Sequence, residues 1–402
     1  MRKINDLEQR IINYINGMEH EIAAFLQNMV RADSCNPPGD TRETVDVIVR
    51  ALSESGIGFD RHLVDGCHES IVATINPGRK PNLLFNSHID TVPVGALQRW
   101  SNSPHSGEIE AGRLYGRGAA DAKASVAAMV MAALAITECG IKLKGSLTVN
   151  PVADEELGGD RGVKHLIDSG VLKPDLVVIG EITGNNVAIA HKGFIWFKVV
   201  SRGRTAHGST PWDGINAISK MIRFLCLLEK RLEVSFAQKK HPLTPPPTLN
   251  IGLIEGGVKG NVVADHCTAV LDRRILPNET YEEAMAEIEA VIETVKREDP
   301  EADLSTELIS YGAPLQTDPG EKLVRVATNL CSEFGLSSSP VEYRQSTDGR
   351  YFSAAGIPTI LLGPGEPETA HAPNENIAIS DVVEAVRLYA LLAMRVLEVE
   401  ER

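Results

Sequence analysis

The sequence predicts an α/β protein with a mostly parallel sheet, interrupted by an inserted α+β domain of ferredoxin-like order. Three observations predict this. Short continuous apolar runs alternate with helical patterns in the first half of the chain. The same texture returns near the C-terminus. Between them lies a segment with another rhythm, in which half-buried strands and two long amphipathic helices follow the order β-α-β-β-α-β. At 402 residues the chain also exceeds what one hydrophobic core usually supports, so two domains are expected.

The first region contains apolar strands at Ser70 to Ile75, Asn82 to Asn86, Leu147 to Ala153 and Asp175 to Ile179, with a helix from Ala124 to Glu138. Strands apolar on both faces and separated by helices imply a parallel sheet covered on both sides. Near the C-terminus, Ile357 to Leu362 is a further strand, and Ser380 to about Leu397 the last helix. The intervening segment alternates from Phe194 to Ser201, then turns helical from Gly214 to Glu233. After Pro245-Pro246-Pro247 come strands Thr248 to Ile254 and His266 to Arg274, a helix Tyr281 to Arg297, and a strand Leu304 to Tyr311. The expected division is a host domain of residues 1–192 and 311–402, with an inserted domain at 193–310.

Composition excludes several function classes. Apolar residues at 43% and charged residues at 23% describe an ordinary globular protein. A formal net charge of -14 argues against a nucleic-acid or anionic-membrane surface, where a basic patch is expected. The six cysteines are scattered without a Cys-x-x-Cys pair, which suits reduced thiols. The N-terminal pattern Ile4, Leu7, Ile11, Ile12, Ile15 is that of an amphipathic helix and lacks the apolar core of a signal peptide. No segment approaches the ~20 apolar residues of a membrane span. A cytoplasmic location is the expectation.

Open α/β sheets place ligands beyond the carboxyl ends of their strands. Strand ends here carry metal-type side chains. Leu83 to Asn86 runs into Ser87-His88-Ile89-Asp90, Ser146 to Ala153 into Asp154-Glu155-Glu156-Leu157-Gly158-Gly159, and Leu176 to Gly180 into Glu181. Ile360 to Leu362 leads through Gly363-Pro364-Gly365 to His371, and Asp121 ends Gly116-Arg117-Gly118-Ala119-Ala120-Asp121 just before a helix. Each has an ordinary explanation alone: a solvated acidic turn, a helix N-cap at Asp121, a surface histidine at His371. Adjacent carboxylates at buried strand ends repel one another, however, and cations would remove that cost.

These motifs, with His371-Ala372-Pro373-Asn374-Glu375, occur in an order that resembles the dinuclear-zinc amidohydrolases. That family includes succinyl-diaminopimelate desuccinylase, acetylornithine deacetylase, aminoacylase and carboxypeptidase G, and the resemblance covers nearly the whole chain. It implies that His88 and Glu181 bind one zinc and Glu156 and His371 the other, with Asp121 bridging. Imidazole nitrogen and carboxylate oxygen suit Zn²⁺, and Co²⁺ or Mn²⁺ could occupy the same set. Four carboxylates (Asp121, Glu155, Glu156, Glu181) also balance the charge of two divalent ions. Asp90 fits a carboxylate that orients the His88 imidazole. Glu155, beside a ligand without being one, is the expected general base towards water polarised by two metals ~3.5–4 Å apart. The resemblance further implies a cis peptide at Asp121–Ala122.

In the inserted domain, Gly203 to Ser209, Gly256 to Asn261 and Asp272-Arg273-Arg274 resemble the family's lid motifs. The resemblance implies that His207 stabilises the oxyanion, often in the partner subunit's site, while Asn261 and Arg274 grip a substrate carboxylate. Arg273 is expected to be the solvent-facing neighbour. A strand salt bridge is the ordinary alternative for Arg274. Thr347 and Arg350 of Ser346-Thr347-Asp348-Gly349-Arg350 are further substrate-contact candidates, and Gly363 is expected to let backbone approach the acyl group. Ile182, Ala264 and Ala122 depart from common family residues without removing a functional group.

The expected activity is zinc-dependent hydrolysis of N-acyl amino acids, leaning to the desuccinylase or deacetylase type. The alternatives are a dipeptidase or carboxypeptidase using the same chemistry, or a non-catalytic metal-binding homologue. A homodimer through the inserted domain and a small-molecule N-acyl amino acid or dipeptide substrate are the expected partners, with no nucleic acid and no membrane.

Overall fold

The computed structural model describes residues 4–400. Helices α1 (Asp6–Asn16), α2 (Glu19–Arg31) and α3 (Arg42–Glu54) precede strands β1 (Phe59–Val64), β2 (His68–Ile75) and β3 (Asn82–His88). Short strands β4 (Glu108–Glu110) and β5 (Arg113–Tyr115) lead to α4 (Lys123–Glu138), β6 (Ser146–Val152), α5 (Val163–Asp168), β7 (Leu176–Ile179) and β8 (Ala188–His191). Next come β9 (Gly193–Arg202), α6 (Ala217–Gln238), β10 (Thr248–Gly256), β11 (His266–Ile275), α7 (Tyr281–Glu298) and β12 (Asp303–Gly312). The chain closes with β13 (Leu315–Gln316), α8 (Lys322–Glu333), β14 (Val341–Tyr343), α9 (Gly349–Ala354), β15 (Thr359–Leu361), β16 (Asn376–Ala378) and α10 (Ile379–Leu397).

Two compact units result. The first comprises residues up to Ile189, Thr317–Val341 and Thr347 onward; the second comprises Ala190–Gln316 and Glu342–Ser346. The large sheet of the first unit runs β1-β2-β6-β3-β7-β15-β8. Its four central strands, β6-β3-β7-β15, are parallel, and the outer ones antiparallel. The α/β fold class read from the continuous apolar runs is therefore the observed one. The mechanism is visible in β6, where all seven residues are buried. Helix α4 is apolar nearly all round, and it packs against α10 and α2 as a fully buried helix should. Lys123 at its start donates to the carbonyls of Met29 and Ala32, which satisfies carbonyls at the end of α2 and compensates the buried ammonium. A separate small sheet, β16-β5-β4, joins the chain around residue 115 to the start of α10.

Register decides what the sheet brings together. His88 lies opposite Val152 across β3 and β6, so Glu155 and Glu156 emerge just past the same edge. Ile179 lies opposite Asn86 across β3 and β7, so Glu181, two residues on, comes level with His88.

The second unit is an antiparallel sheet of order β10-β11-β9-β12 with α6 and α7 on one face. Its core holds Phe197, Phe224, Leu228, Leu271, Ile288, Val295 and Leu304. Helix α7 begins with a capping box in which Thr280 and Glu283 satisfy each other's backbone N–H groups. Strand β11 alternates strictly, with Cys267, Ala269, Leu271, Arg273 and Ile275 turned into the core. Arg273 is therefore not the solvent-facing neighbour expected from sequence. It is 0% exposed, paired with Glu279 at 2.9 Å and Glu287 at 3.3 Å, and lies over the Phe236 ring. Its parity with four apolar residues of the same strand is the signal that decides its face.

No helix among the described residues is long and apolar enough to cross a membrane. The six cysteines are free thiols.

Candidate metal centre

Two overlapping clusters form where the central strands end. Ligand-type atoms of His88, Asp121 and Glu181 lie within 4.8 Å of one another, as do those of Asp121, Glu156 and His371. Asp121 belongs to both. Its Oδ1 faces His88 Nε2 at 3.3 Å and its Oδ2 faces His371 Nε2 at 3.2 Å. His371 Nε2 is also 3.3 Å from Oε1 of Glu156. The Asp121–Ala122 peptide is cis, as the resemblance implies.

The arrangement fits cations on its own terms. His88 Nδ1 donates to the backbone carbonyl of Asp90 at 2.9 Å, so a neutral His88 turns the lone pair of Nε2 towards a carboxylate oxygen. Oε1 of Glu156 is buried and faces His371 Nε2 at 3.3 Å. Proton affinities report the same concentration of negative charge. Hydrogen bonds to Asp121 and Glu156 push His371 up to about 10 against partial desolvation. Desolvation opposes protonation of His88, yet Asp121, Glu155 and Glu181 hold its pKa well above the usual imidazole value. Desolvation would raise the Asp121 carboxyl, but both histidines hold it below the usual carboxylate range. Divalent ions in place of those protons would compensate the clustered carboxylates, and mixed imidazole and carboxylate donors are what zinc takes.

Glu155 and Glu156 occupy the short 3₁₀ turn Glu155–Leu157, entered through Asp154 at φ 70°. Desolvation lifts the Glu155 carboxyl well above the usual range; His88 opposes this, while Asp348, Glu181 and Glu156 add to it. Asp90 meets His88 through its carbonyl rather than through its side chain, whose nearer oxygen is 3.7 Å away. The Asp90 carboxylate instead accepts the backbone N–H groups of Glu155 and Glu156 at 3.1 and 3.3 Å.

The substrate candidates of the first unit are mostly occupied by their own neighbours. Arg350 is buried and donates to the carbonyls of Thr347 at 3.0 Å and Gly158 at 2.7 Å. Thr347 is buried, its hydroxyl accepting from the N–H of Gly349. Gly363 is packed on the backbone of Glu181, where a Cβ would collide with the Glu181 carbonyl and with Ser125. In the second unit, His207 is exposed, and its Nδ1 accepts from the N–H of Ser209 at 3.2 Å. The neutral ring therefore carries its proton on Nε2 and can donate from there. The turn holding His207 is bonded to Asn261 through Gly208 N–H to the Asn261 carbonyl at 2.8 Å. Arg274 is engaged by Asp272 at 2.9 Å, the strand ion pair that was its ordinary alternative.

Three contributors escaped the sequence reading. Asn36 is buried, and its amide bridges Asp90 at 2.9 Å and Asp154 at 3.2 Å. Asp348 is buried with neither oxygen hydrogen-bonded, and desolvation pushes it up to about 7 against the charges of Arg350 and His88. Glu375 closes the Asp121 turn. An Asn-Pro-Pro-Gly turn signal at 36–39 was the available hint for Asn36.

Residues 84–395 match the model of peptidase family M20/M25/M40. The chain belongs to this family. Members are metal-dependent and typically dinuclear, which makes the chain a metallohydrolase acting on amide bonds. Among family relatives, an N-formyl-4-amino-5-aminomethyl-2-methylpyrimidine deformylase of Halalkalibacterium halodurans is 27% identical over 96% of both chains. An acetylornithine deacetylase of Proteus mirabilis is 32% identical over 77% of each. The aminopeptidase PepT from Bacillus cereus shares the fold, with a TM-score of 0.76 at 23% identity, covering 94% of this chain and 98% of that one.

Proposed function

We propose that this family member hydrolyses the amide bond of N-acyl amino acids, as a deacylase of the desuccinylase or deacetylase type. The observation that carries the reading is Asp121, whose two oxygens face two histidines from two clusters, with Glu155 beside them. His88 and Glu181 are the proposed ligands of one ion and Glu156 and His371 of the other, with Asp121 shared. Zinc is the proposed metal, with cobalt or manganese as substitutes. When bound, such ions lower the pKa of water and offset negative charge on a carbonyl oxygen.

The chain's own residues do the rest. Glu155, desolvated and high in proton affinity, takes the proton from the attacking water and returns it to the departing amine. The Asp90 carboxylate holds the backbone of the turn that carries Glu155. His207 offers Nε2–H to the oxyanion. Asn261 and Arg274 are the proposed carboxylate contacts, with Arg274 exchanging part of its bond to Asp272 for the substrate. Thr347 and Arg350 act by holding the 347–350 loop rather than by reaching the substrate. The acyl-amino-acid preference draws support from the acetylornithine deacetylase relative. A homodimer through the second unit, in a cytoplasmic enzyme, completes the reading.

The test is a panel of N-succinyl, N-acetyl and N-glutamyl amino acids beside dipeptides, assayed with the zinc-loaded protein. Chelator-sensitive release of a free amino acid from one acyl class supports the deacylase. Turnover confined to dipeptides reassigns the chain to the peptidase side of the family, and absence of turnover with two metals bound indicates a non-catalytic homologue.

A further inference from the structure

Arg117 and Glu375 form an ion pair at 2.6 Å, with only 2% and 1% of their surfaces exposed. The Glu375 carboxylate also accepts three backbone N–H groups, from Gly118 at 3.1 Å, Ala120 at 2.9 Å and Asp121 at 3.0 Å. The Arg117 guanidinium reaches the carbonyls of Pro93, His371 and Ala372, each at 3.4 Å, and stands over the Trp100 ring. One buried pair thus touches three segments far apart in sequence: the loop leaving β3, the turn that presents Asp121, and the loop that presents His371. Isolating two charges from water is costly, and each hydrogen bond that replaces water at this pair also fixes a piece of backbone.

The two clusters depend on this pair unequally. Glu375 sets the peptide N–H of Asp121 itself, and Arg117 holds the carbonyl of His371, a residue at φ 59° whose side chain is half exposed. His88 is fixed elsewhere, by β3 and the Asp90 carbonyl. Glu181 follows β7 and is packed by Gly363. Glu156 is held through its N–H by Asp90. Two of three side chains in the Asp121–Glu156–His371 cluster therefore lean on the pair, against one of three in the His88–Asp121–Glu181 cluster.

We propose that the Arg117–Glu375 pair is a positioning unit that tunes the Asp121–Glu156–His371 cluster for its cation, selectively over the other cluster. The inference rests on the two-cation reading of the site.

The test is calorimetric titration of chelator-stripped protein with Zn²⁺ alone, for wild type, Glu375→Gln and Glu375→Asp, with melting curves of each stripped protein. Wild type is expected to take up two ions. Glu375→Gln keeps one site within about threefold and weakens the other by about 10–100-fold, the range seen when a partner of a metal ligand is removed. Glu375→Asp keeps the charge and is expected to show the same selectivity with a smaller loss, which preserves the test if the glutamine variant does not fold. Two unchanged sites, or two sites weakened alike, would overturn the selective role. A wild type that binds fewer than two ions overturns the two-cation reading and the role with it, so the two failures are told apart.

Discussion

Oδ1 of Asp90 accepts the backbone N–H of Glu155 at 3.1 Å, while Oδ2 takes that of Glu156 at 3.3 Å and the Asn36 amide at 2.9 Å. One carboxylate therefore organises the turn that carries both the proposed base and a proposed ligand. In Asp90→Asn one oxygen becomes an NH₂ group aimed at an N–H donor, and the turn loses an anchor. The expected outcome is a kcat about 10–100-fold lower with a smaller change in KM, read from steady-state kinetics. An unchanged kcat would sink the anchoring role.

Glu155→Gln tests the base directly. The amide keeps the size of the side chain but cannot accept the proton. Turnover is expected to fall by about 10²–10⁴-fold. Metal content, measured by atomic emission, should stay at the wild-type value because Glu155 belongs to neither cluster. Activity within a few-fold of wild type removes Glu155 from this role.

The parts of the site carried by strand ends were legible in the sequence, because a continuous apolar run encodes both a parallel strand and the edge at which it stops. His88, Glu156 and Glu181 all follow such runs, and register alone brings them level. What joins them was not legible. Asn36 reaches Asp90 across 54 residues and Asp154 across 118, and Glu375 reaches the Asp121 turn across more than 250. No local pattern encodes a side chain that serves another segment's backbone. The reversal at Arg273 has a different origin. Alternation separates two faces of a strand, but only the company of Leu271 and Ile275 says which one is the core.

Arg273 and Arg274 are neighbours with different expected losses. Arg273→Ala empties a fully buried position and takes from Glu279 one of its two cations, leaving Lys239 at 2.6 Å, and unfolding in urea should show a loss of about 1–3 kcal/mol. Arg274→Ala removes a part-exposed pair with Asp272 and should cost about 0–1 kcal/mol while raising KM for carboxylate substrates. Equal stability losses would contradict the assignment of the two faces.

Asp299 links stability to pH in the second unit. Lys220 bonds it at 2.6 Å and Arg223 at 3.1 Å, and the Lys220 bond is the main reason its carboxyl titrates below the usual value. A folded-state pKa below the unfolded value of about 3.9 contributes stability that is present above pH ~4. That contribution is lost as pH falls through the folded value. Asp299→Asn should therefore be less stable than wild type at pH 7, with the gap closing in acid-unfolding curves below pH ~4. A gap that persists at pH 2 would assign the effect to packing.

Gly363 was expected to admit substrate, but its Cα faces the protein. A Cβ there would overlap the Glu181 carbonyl and the Ser125 hydroxyl. Ser125 can rotate away, whereas Glu181 backbone cannot yield without moving. The strand exit is also tied down, since the Gly363 carbonyl accepts from Asn185 N–H at 2.8 Å and Thr183 N–H at 3.2 Å. In Gly363→Ala the overlap is relieved by shifting Glu181, at a cost of about 1–3 kcal/mol typical of overpacking. Zinc titration should then show the His88–Asp121–Glu181 cluster weakened more than its neighbour, the reverse of the order expected for Glu375→Gln. If stability and zinc affinity stay at wild-type values while KM rises, the glycine serves substrate approach and not the seating of Glu181.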